Sequence, residues 1–297
     1  MTIEDRQIWF NVAMTAGLGP AAAQKVARYL DDHRLAATAL VDLDAEALQR
    51  HVGLSAGVAS ALLAQLHDPV GLPQVPDGVE LLISGDDRYP NARCRDANPP
   101  LPPVLWAAAD TSLLTHSGPA LAVAGSRDTT EDILELVQDI ASIASRQGWM
   151  VVSGLAQGVD SAAHRGALIG RTGTIGVLAS GVANTSRSWM PDDTDSICIV
   201  SQFSPDEPWS GPRAMQRNAT IAGLADRVFV AAAGTSGGSW EMAQLCLKRR
   251  KPLFVLDLDA DLAAGNQALI RAGATSVDPT DPESVLSEFG GPMTLFG

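Results

Sequence analysis

The stretch VVSGLAQGVDSAAHRGAL, residues 151–168, passes from an unbroken apolar run through a glycine-rich turn into a segment with helical spacing. Strands of a parallel sheet are buried on both faces and return through helices, so a short apolar run that turns into a helix is the repeating half-unit of such a sheet. Outward from this stretch the same pattern recurs. LAVAG (121–125), TIGVLASG (174–181), ICIVSQ (197–202), RVFVAAAG (227–234) and PLFVLDLD (252–259) are apolar runs ending in small or polar residues. Helical stretches such as TEDILELVQDIASIASRQG (130–148) and GSWEMAQLCLKRR (238–250) separate several of them. The fold class expected is α/β, a Rossmann-like, doubly wound, mainly parallel sheet. Ligands of such sheets bind beyond the carboxyl ends of the strands, so the residues that follow each strand carry the function.

Ahead of this core the pattern from Ile8 to Leu66 is helical, interrupted at GLGP (17–20), DDHR (31–34) and GLSAG (53–57). It reads as a small all-helical module of the SAM or helix-hairpin-helix kind. Glycines between two helices can present backbone N–H groups to a phosphate, but a tight packing turn is the simpler reading of GLGP. HDPVGLPQVPDG (67–78) reads as a linker. The expected division is therefore a helical domain over 1–70 and an extended Rossmann-like domain over 71–297. The latter comprises a strand-loop-strand extension (79–110), the core (121–257) and a short acidic tail (258–297).

Net charge is −13, which excludes a protein held to nucleic acid by bulk attraction. Residues 121–257 are nearly balanced, with 12 basic and 14 acidic side chains, so a local basic groove is compatible with the sequence. Of the 21 basic residues 18 are arginine, suited to planar, bidentate contact with phosphate. Cys94, Cys198 and Cys246 are far apart and make neither a CxxC pair nor a metal-ligand set, so buried free thiols are expected and no metal. No apolar stretch reaches the roughly 20 residues of a membrane span, and MTIEDRQIWF lacks a basic leader, so a cytoplasmic protein without a membrane role is expected.

Behind the strands lie the candidate ligands. Gly125, Ser126 and Arg127 follow the first core strand; Ser153, Gly154 and Gly158 form the turn in the opening stretch. Asp160 and His164 are four apart, hence on one helix face, and a structural pairing that fixes the loop explains them better than acid–base chemistry, with His164 also a candidate phosphate contact. Arg213, Arg217 and Asn218 open an apolar helix in GPRAMQRNATIAGLADR (211–227). Ser236, Gly237, Gly238 and Ser239 make a second small-residue turn into a helix, a ready anion site. No GxxxxGK[ST] or GxGxxG turn occurs, so neither a P-loop nor a nicotinamide or flavin cofactor is expected, and no catalytic residue is assigned. Few aromatics lie near these turns, so base stacking is expected to contribute little.

LISGDDRYP (82–90), PPVLWAAAD (102–110), AVAGSRDTT (122–130), VVSGLAQGVDSAAHRGAL, TIGVLASGV (174–182), RNATIAGLADRVFVAAAG (217–234) and SGGS (236–239) together resemble the DNA-processing protein A family (DprA/Smf). The resemblance covers roughly 1–257. It implies a dimeric Rossmann-like protein that binds single-stranded DNA, loads the RecA recombinase during natural transformation and performs no covalent chemistry. It further implies that Gly125, Ser126, Arg127, the Gly154–Gly158 loop and the segment around Arg217 and Asn218 line the DNA groove. The last 40 residues are too short for the winged-helix domain of some members, so a divergent or shortened member is expected. The competing reading is a nucleotide-binding or nucleotide-hydrolysing protein of the LOG type, with Glu241 beside the GTSGGS turn as the acting carboxylate.

Overall fold

Alternation of side chains along each strand settles how the layers assemble. The computed structural model describes residues 1–90, 97–184 and 196–281; Cys94 and the chain beyond residue 281 lie outside the described residues. The strands are β1 (Val79–Ile83), β2 (Val104–Ala109), β3 (Ala120–Ala124), β4 (Met150–Ser153), β5 (Thr174–Val177), β6 (Ile197–Ser201), β7 (Arg227–Val230), β8 (Leu253–Leu256) and β9 (Thr275–Val277). Among the described residues they form one sheet in the order β1-β2-β6-β5-β4-β3-β7-β8-β9. β1 and β2 pair antiparallel with each other, β2 pairs antiparallel with β6, and every other pairing is parallel. The Rossmann-like, mainly parallel α/β architecture read from the sequence is the one observed.

The helices are α1 (Ile3–Met14), α2 (Pro20–His33), α3 (Ala56–His67), α4 (Glu131–Arg146), α5 (Val159–Gly170), α6 (Gly211–Leu224), α7 (Gly238–Lys248) and α8 (Asn266–Arg271). Local chemistry fixes their ends. Thr2 and Ser55 cap α1 and α3 by accepting from the N–H of Asp5 (3.0 Å) and Val58 (3.5 Å), and Pro20 opens α2. α4 buries Ile133, Val137, Ile140 and Ala144, one stripe at helical spacing, with Glu131 and Asp132 at its positive end and Arg146 at its negative end.

In β3, Ala120, Ala122 and Ala124 pack with residues of α6 and α7 such as Ile221 and Met242 on one face of the sheet. Leu121 and Val123 pack with α4 and α5 on the other. The amino-terminal helices cover that second face at the β1-β2-β6 end, where Trp9, Val12, Leu40 and Leu62 share a core with Ile83, Trp106, Ile197 and Ile199. Leu18 of the GLGP turn is buried within that core, the packing role expected of it. Arg6 ties α1 to the sheet by an ion pair with Asp86 and a 3.0 Å hydrogen bond to the Leu81 carbonyl.

One finding differs from the sequence reading. The stretch from 258 carries α8 and β9, so the part expected as an acidic tail extends the sheet by a strand. Its anchor is Asn266, fully buried, which accepts from Ala233 N–H (2.9 Å) and donates to the carbonyls of Ala231 (2.8 Å) and Leu256 (2.9 Å). Cys198 and Cys246 are buried free thiols, burial pushing the first well up and the second up to about 12. Among the described residues no helix is long and apolar enough to cross a membrane.

Candidate nucleic-acid interface

β3 lies between β4 and β7, where the strand order reverses, and the chains leaving β3 and β7 diverge to opposite faces. This is the switch point at which doubly wound sheets open a crevice. A cleft of about 380 Å³ occupies it, walled by Gly125–Arg127 after β3, by Arg217 and Asn218 of α6, and by Ser236–Ser239 at the entry to α7. Three separate stretches that the sequence singled out thus meet in one place.

Arg217 forms the floor. Although its residue is only 6% exposed, its guanidinium Nε has no hydrogen-bond partner among the described residues, while Nη1 donates to the Val177 carbonyl (3.2 Å) and lies 3.9 Å from Asp160 Oδ2. Burial lifts the Asp160 carboxyl above its ordinary range, opposed by the Arg217 charge and by the Ala156 N–H. Burial likewise draws the Arg217 guanidinium down, opposed by Asp160. A half-satisfied buried cation is a costly arrangement that an anion in the cleft would relieve. Gly154 makes room for it: a Cβ there would stand 1.5 Å from Arg217 Nη1.

α7 supplies the second feature. No side chain caps its amino terminus, and Gly237, Gly238 and Ser239 line the cleft, so its first N–H groups face the opening with the positive end of the helix dipole. Asn218 and Ser239 shape this end, donating to the carbonyls of Gly238 (2.9 Å) and Gly125 (2.8 Å). Ser126 donates to the Asp128 carbonyl (2.7 Å) and accepts from its N–H (3.1 Å), holding the turn that presents Arg127. The Arg127 side chain is exposed, with its guanidinium 5.9 Å from the centroid of the Trp209 ring.

The α5 terminus differs from expectation. The N–H of Val159 donates to the Ser126 carbonyl (3.2 Å), and Asp160 stands in the first turn, so this helix end braces the Arg127 turn instead of facing a ligand. Gly158 is required there, since its φ of +76° is left-handed and a Cβ would lie 2.6 Å from the Arg127 carbonyl.

Five expected ligands do not line the cleft: besides Gly154, packed against Arg217, and Gly158, which holds the Arg127 turn, these are Ser153, His164 and Arg213. Ser153 is fully buried and its hydroxyl donates to the Val123 carbonyl (2.7 Å), joining β4 to β3. His164 is buried against β5, 2.8 Å from Thr174 Oγ1, and makes no pair with Asp160. Arg213 pairs with Glu207 and donates to the Pro208 carbonyl (2.9 Å), which fixes the loop before α6. Glu241, the carboxylate on which the nucleotide-hydrolysing reading rests, is exposed and does not line the cleft. Sequence reasoning missed Trp209, 57% exposed at the rim, against the expectation of few aromatics. Its one signal was an indole in the polar stretch SPDEPWSG (204–211), where no core periodicity calls for it.

The model of a family described as DNA recombination-mediator protein A matches residues 80–290. DNA processing protein DprA of Bacillus subtilis (strain 168) is 29% identical over 185 residues, 59% of this chain and 61% of that protein. The chain thus spans about three fifths of that relative's length. DNA processing protein DprA of Streptococcus pneumoniae R6 is 29% identical over 195 residues, 63% of this chain and 67% of that protein. The fold is similar to that of DNA processing protein A from Streptococcus pneumoniae, with a TM-score of 0.69 at 24% identity over 97% of this chain and 99% of the other. It is also similar to that of DNA processing protein A from Helicobacter pylori, solved for its single-stranded DNA binding mode, with a TM-score of 0.59 at 24% identity, covering 71% and 96% of the two chains.

Proposed function

The chain belongs to the DNA recombination-mediator protein A family, and from that membership we propose that it binds single-stranded DNA in the switch-point cleft and hands the strand to RecA. The observation that carries this reading is the buried Arg217 Nε without a partner beside the uncapped end of α7. Both favour an anion, and a phosphodiester of a DNA backbone supplies one at each nucleotide. The cleft, of about 380 Å³, has glycine backbone on its walls and Arg127 at its mouth. A phosphate must enter it to reach buried Arg217, which suits a flexible single strand better than a duplex, whose phosphates lie on a convex surface. The role proposed is binding and protection of the strand in the cytoplasm without covalent chemistry, by a homodimer formed through the α/β domain.

Fluorescence anisotropy of a labelled oligo-dT, with an equal-length duplex as competitor, tests the reading. Tighter binding of the single strand is expected. Arg127→Glu, an exposed position, should weaken it by at least about tenfold at an unchanged melting temperature, since it turns one phosphate contact repulsive. Undiminished binding by that variant would move the interface away from the cleft. RecA assembly on the bound strand is then the measurement for the mediator role.

A further inference from the structure

A second cavity, of about 210 Å³, adjoins the cleft, and Arg127, Ala156 and Arg217 line both. Its remaining wall sets apolar Leu155, Leu178 and Ala179 beside polar Gln157 and Ser180, and Trp209 closes one side. We propose that this cavity receives a nucleobase of the bound strand, stacked against Trp209, while the adjoining phosphate occupies the Arg217 cleft. The inference rests on the DNA reading above and names the part of the strand that reading leaves unplaced.

The exposure of Trp209 needs a reason. Trp9, Trp106 and Trp149 are each 7% exposed or less, whereas Trp209 is 57% exposed. An indole left in water forgoes a large apolar burial, and a planar partner would recover it. Nor does this side chain sit on a loose loop. Arg213 donates to the Pro208 carbonyl and pairs with Glu207, and the Glu207 carbonyl accepts from Gly181 N–H (2.8 Å) and Asn184 Nδ2 (3.1 Å). A ring presented by a braced loop loses little freedom on stacking. This assigns Arg213 a positioning role for the ring, in place of the phosphate contact that sequence suggested.

The opposite wall is built as well. Leu155 holds a left-handed φ of +53°, unusual for a branched residue, and its side chain packs over Gly176, where a Cβ would meet Leu155 Cγ at 2.4 Å. That conformation turns the leucine inward, so the cavity has an apolar floor beneath the backbone of Gly154–Ala156. Arg127, over the Trp209 ring at its mouth, is placed to contact the phosphate on one side and the base edge or face on the other. Aromatic stacking is sequence-tolerant, because every base has a π-face.

The test compares oligo-dT with an equal-length strand of abasic tetrahydrofuran residues, which keeps the phosphates and lacks the bases. Wild type should bind oligo-dT about tenfold more tightly, the usual scale of one stacked base. Trp209→Ala should lose that preference by weakening dT binding while abasic binding stays unchanged, and Trp209→Phe should restore most of it. Equal loss on both strands, or no loss on either, overturns the base cavity while leaving the DNA reading standing. If wild type binds neither strand, the DNA reading fails and the base cavity with it.

Discussion

Arg217, Asp160 and His164 show how far residue spacing reaches. Positions 160 and 164 share a helix face by the i,i+4 rule, and both are buried or partly buried, yet they take different partners. Asp160, in the first turn of α5, meets Arg217 across the helix end, whereas His164 lies one turn deeper against Thr174. Thr174 Oγ1 already donates to the Val151 carbonyl (2.9 Å), so it accepts from His164, which places the proton on Nδ1 of a neutral ring. Burial, with the nearby Arg217 charge, lowers the His164 pKa to about 3. The folded state therefore refuses a proton that the unfolded chain accepts below its ordinary pKa of about 6.5. The histidine's contribution is fully present above about pH 6.5 and is lost progressively as pH falls toward 3, by up to about 1.4 kcal/mol per pH unit. Urea unfolding of wild type and His164→Gln between pH 7.5 and 5 checks this. Wild type should lose stability relative to the variant as pH falls; parallel curves would mean that the imidazole titrates normally in the folded protein.

At the scale of elements, the strands β3 to β8 and the helices between them were legible because each carries a strong signal, continuous apolar runs or a buried stripe such as Ile133-Val137-Ile140. The cleft was legible for the same reason. Its Gly125–Arg127 and Gly234–Ser239 turns directly follow those runs, and Arg217 lies on α6 between β6 and β7. α8 and β9 were not legible: Thr275 and Ser276 are exposed and Asn266 is polar, so the segment has no apolar period to read. It is anchored by a side chain whose three partners come from two distant stretches, the exit of β7 and the end of β8, and no local pattern encodes that. Trp209 escaped for a related reason, since its neighbours at Arg127 and Leu178 are distant in sequence. Asn266→Ala tests the anchor. It takes the partner from two buried backbone groups, the Ala233 N–H and the Ala231 carbonyl, while the Leu256 carbonyl keeps the Leu258 N–H (3.0 Å), so a loss of about 2–4 kcal/mol in denaturant unfolding is expected. Because Ala233 and Gly234 border the cleft, strand affinity should fall with it. A variant as stable as wild type would show that the sheet edge stands without this side chain.

For the whole molecule, the proposed function requires a chain of net charge −13 to hold a polyanion. The cations of the cleft are few, Arg127 at its mouth and Arg217 on its floor, with the partial charge of the α7 terminus between them. Counterion release from a single strand changes log affinity by about −0.7 per log unit of salt for each phosphate neutralised, so two arginines give a slope of about −1.4. The acidic remainder acts in the opposite sense. At about 0.15 M salt the screening length is roughly 8 Å and distant carboxylates do not reach the cleft, whereas near 0.01 M it is about 30 Å and they do. Lowering salt therefore strengthens the contacts in the cleft and the repulsion from the rest of the surface together. Anisotropy titrations should give a shallow slope, between about −1 and −2.5 from 50 to 200 mM, flattening below about 20 mM. A slope steeper than about −4 would require more basic contacts than the cleft contains, and would place the strand on a wider cationic surface elsewhere on the molecule.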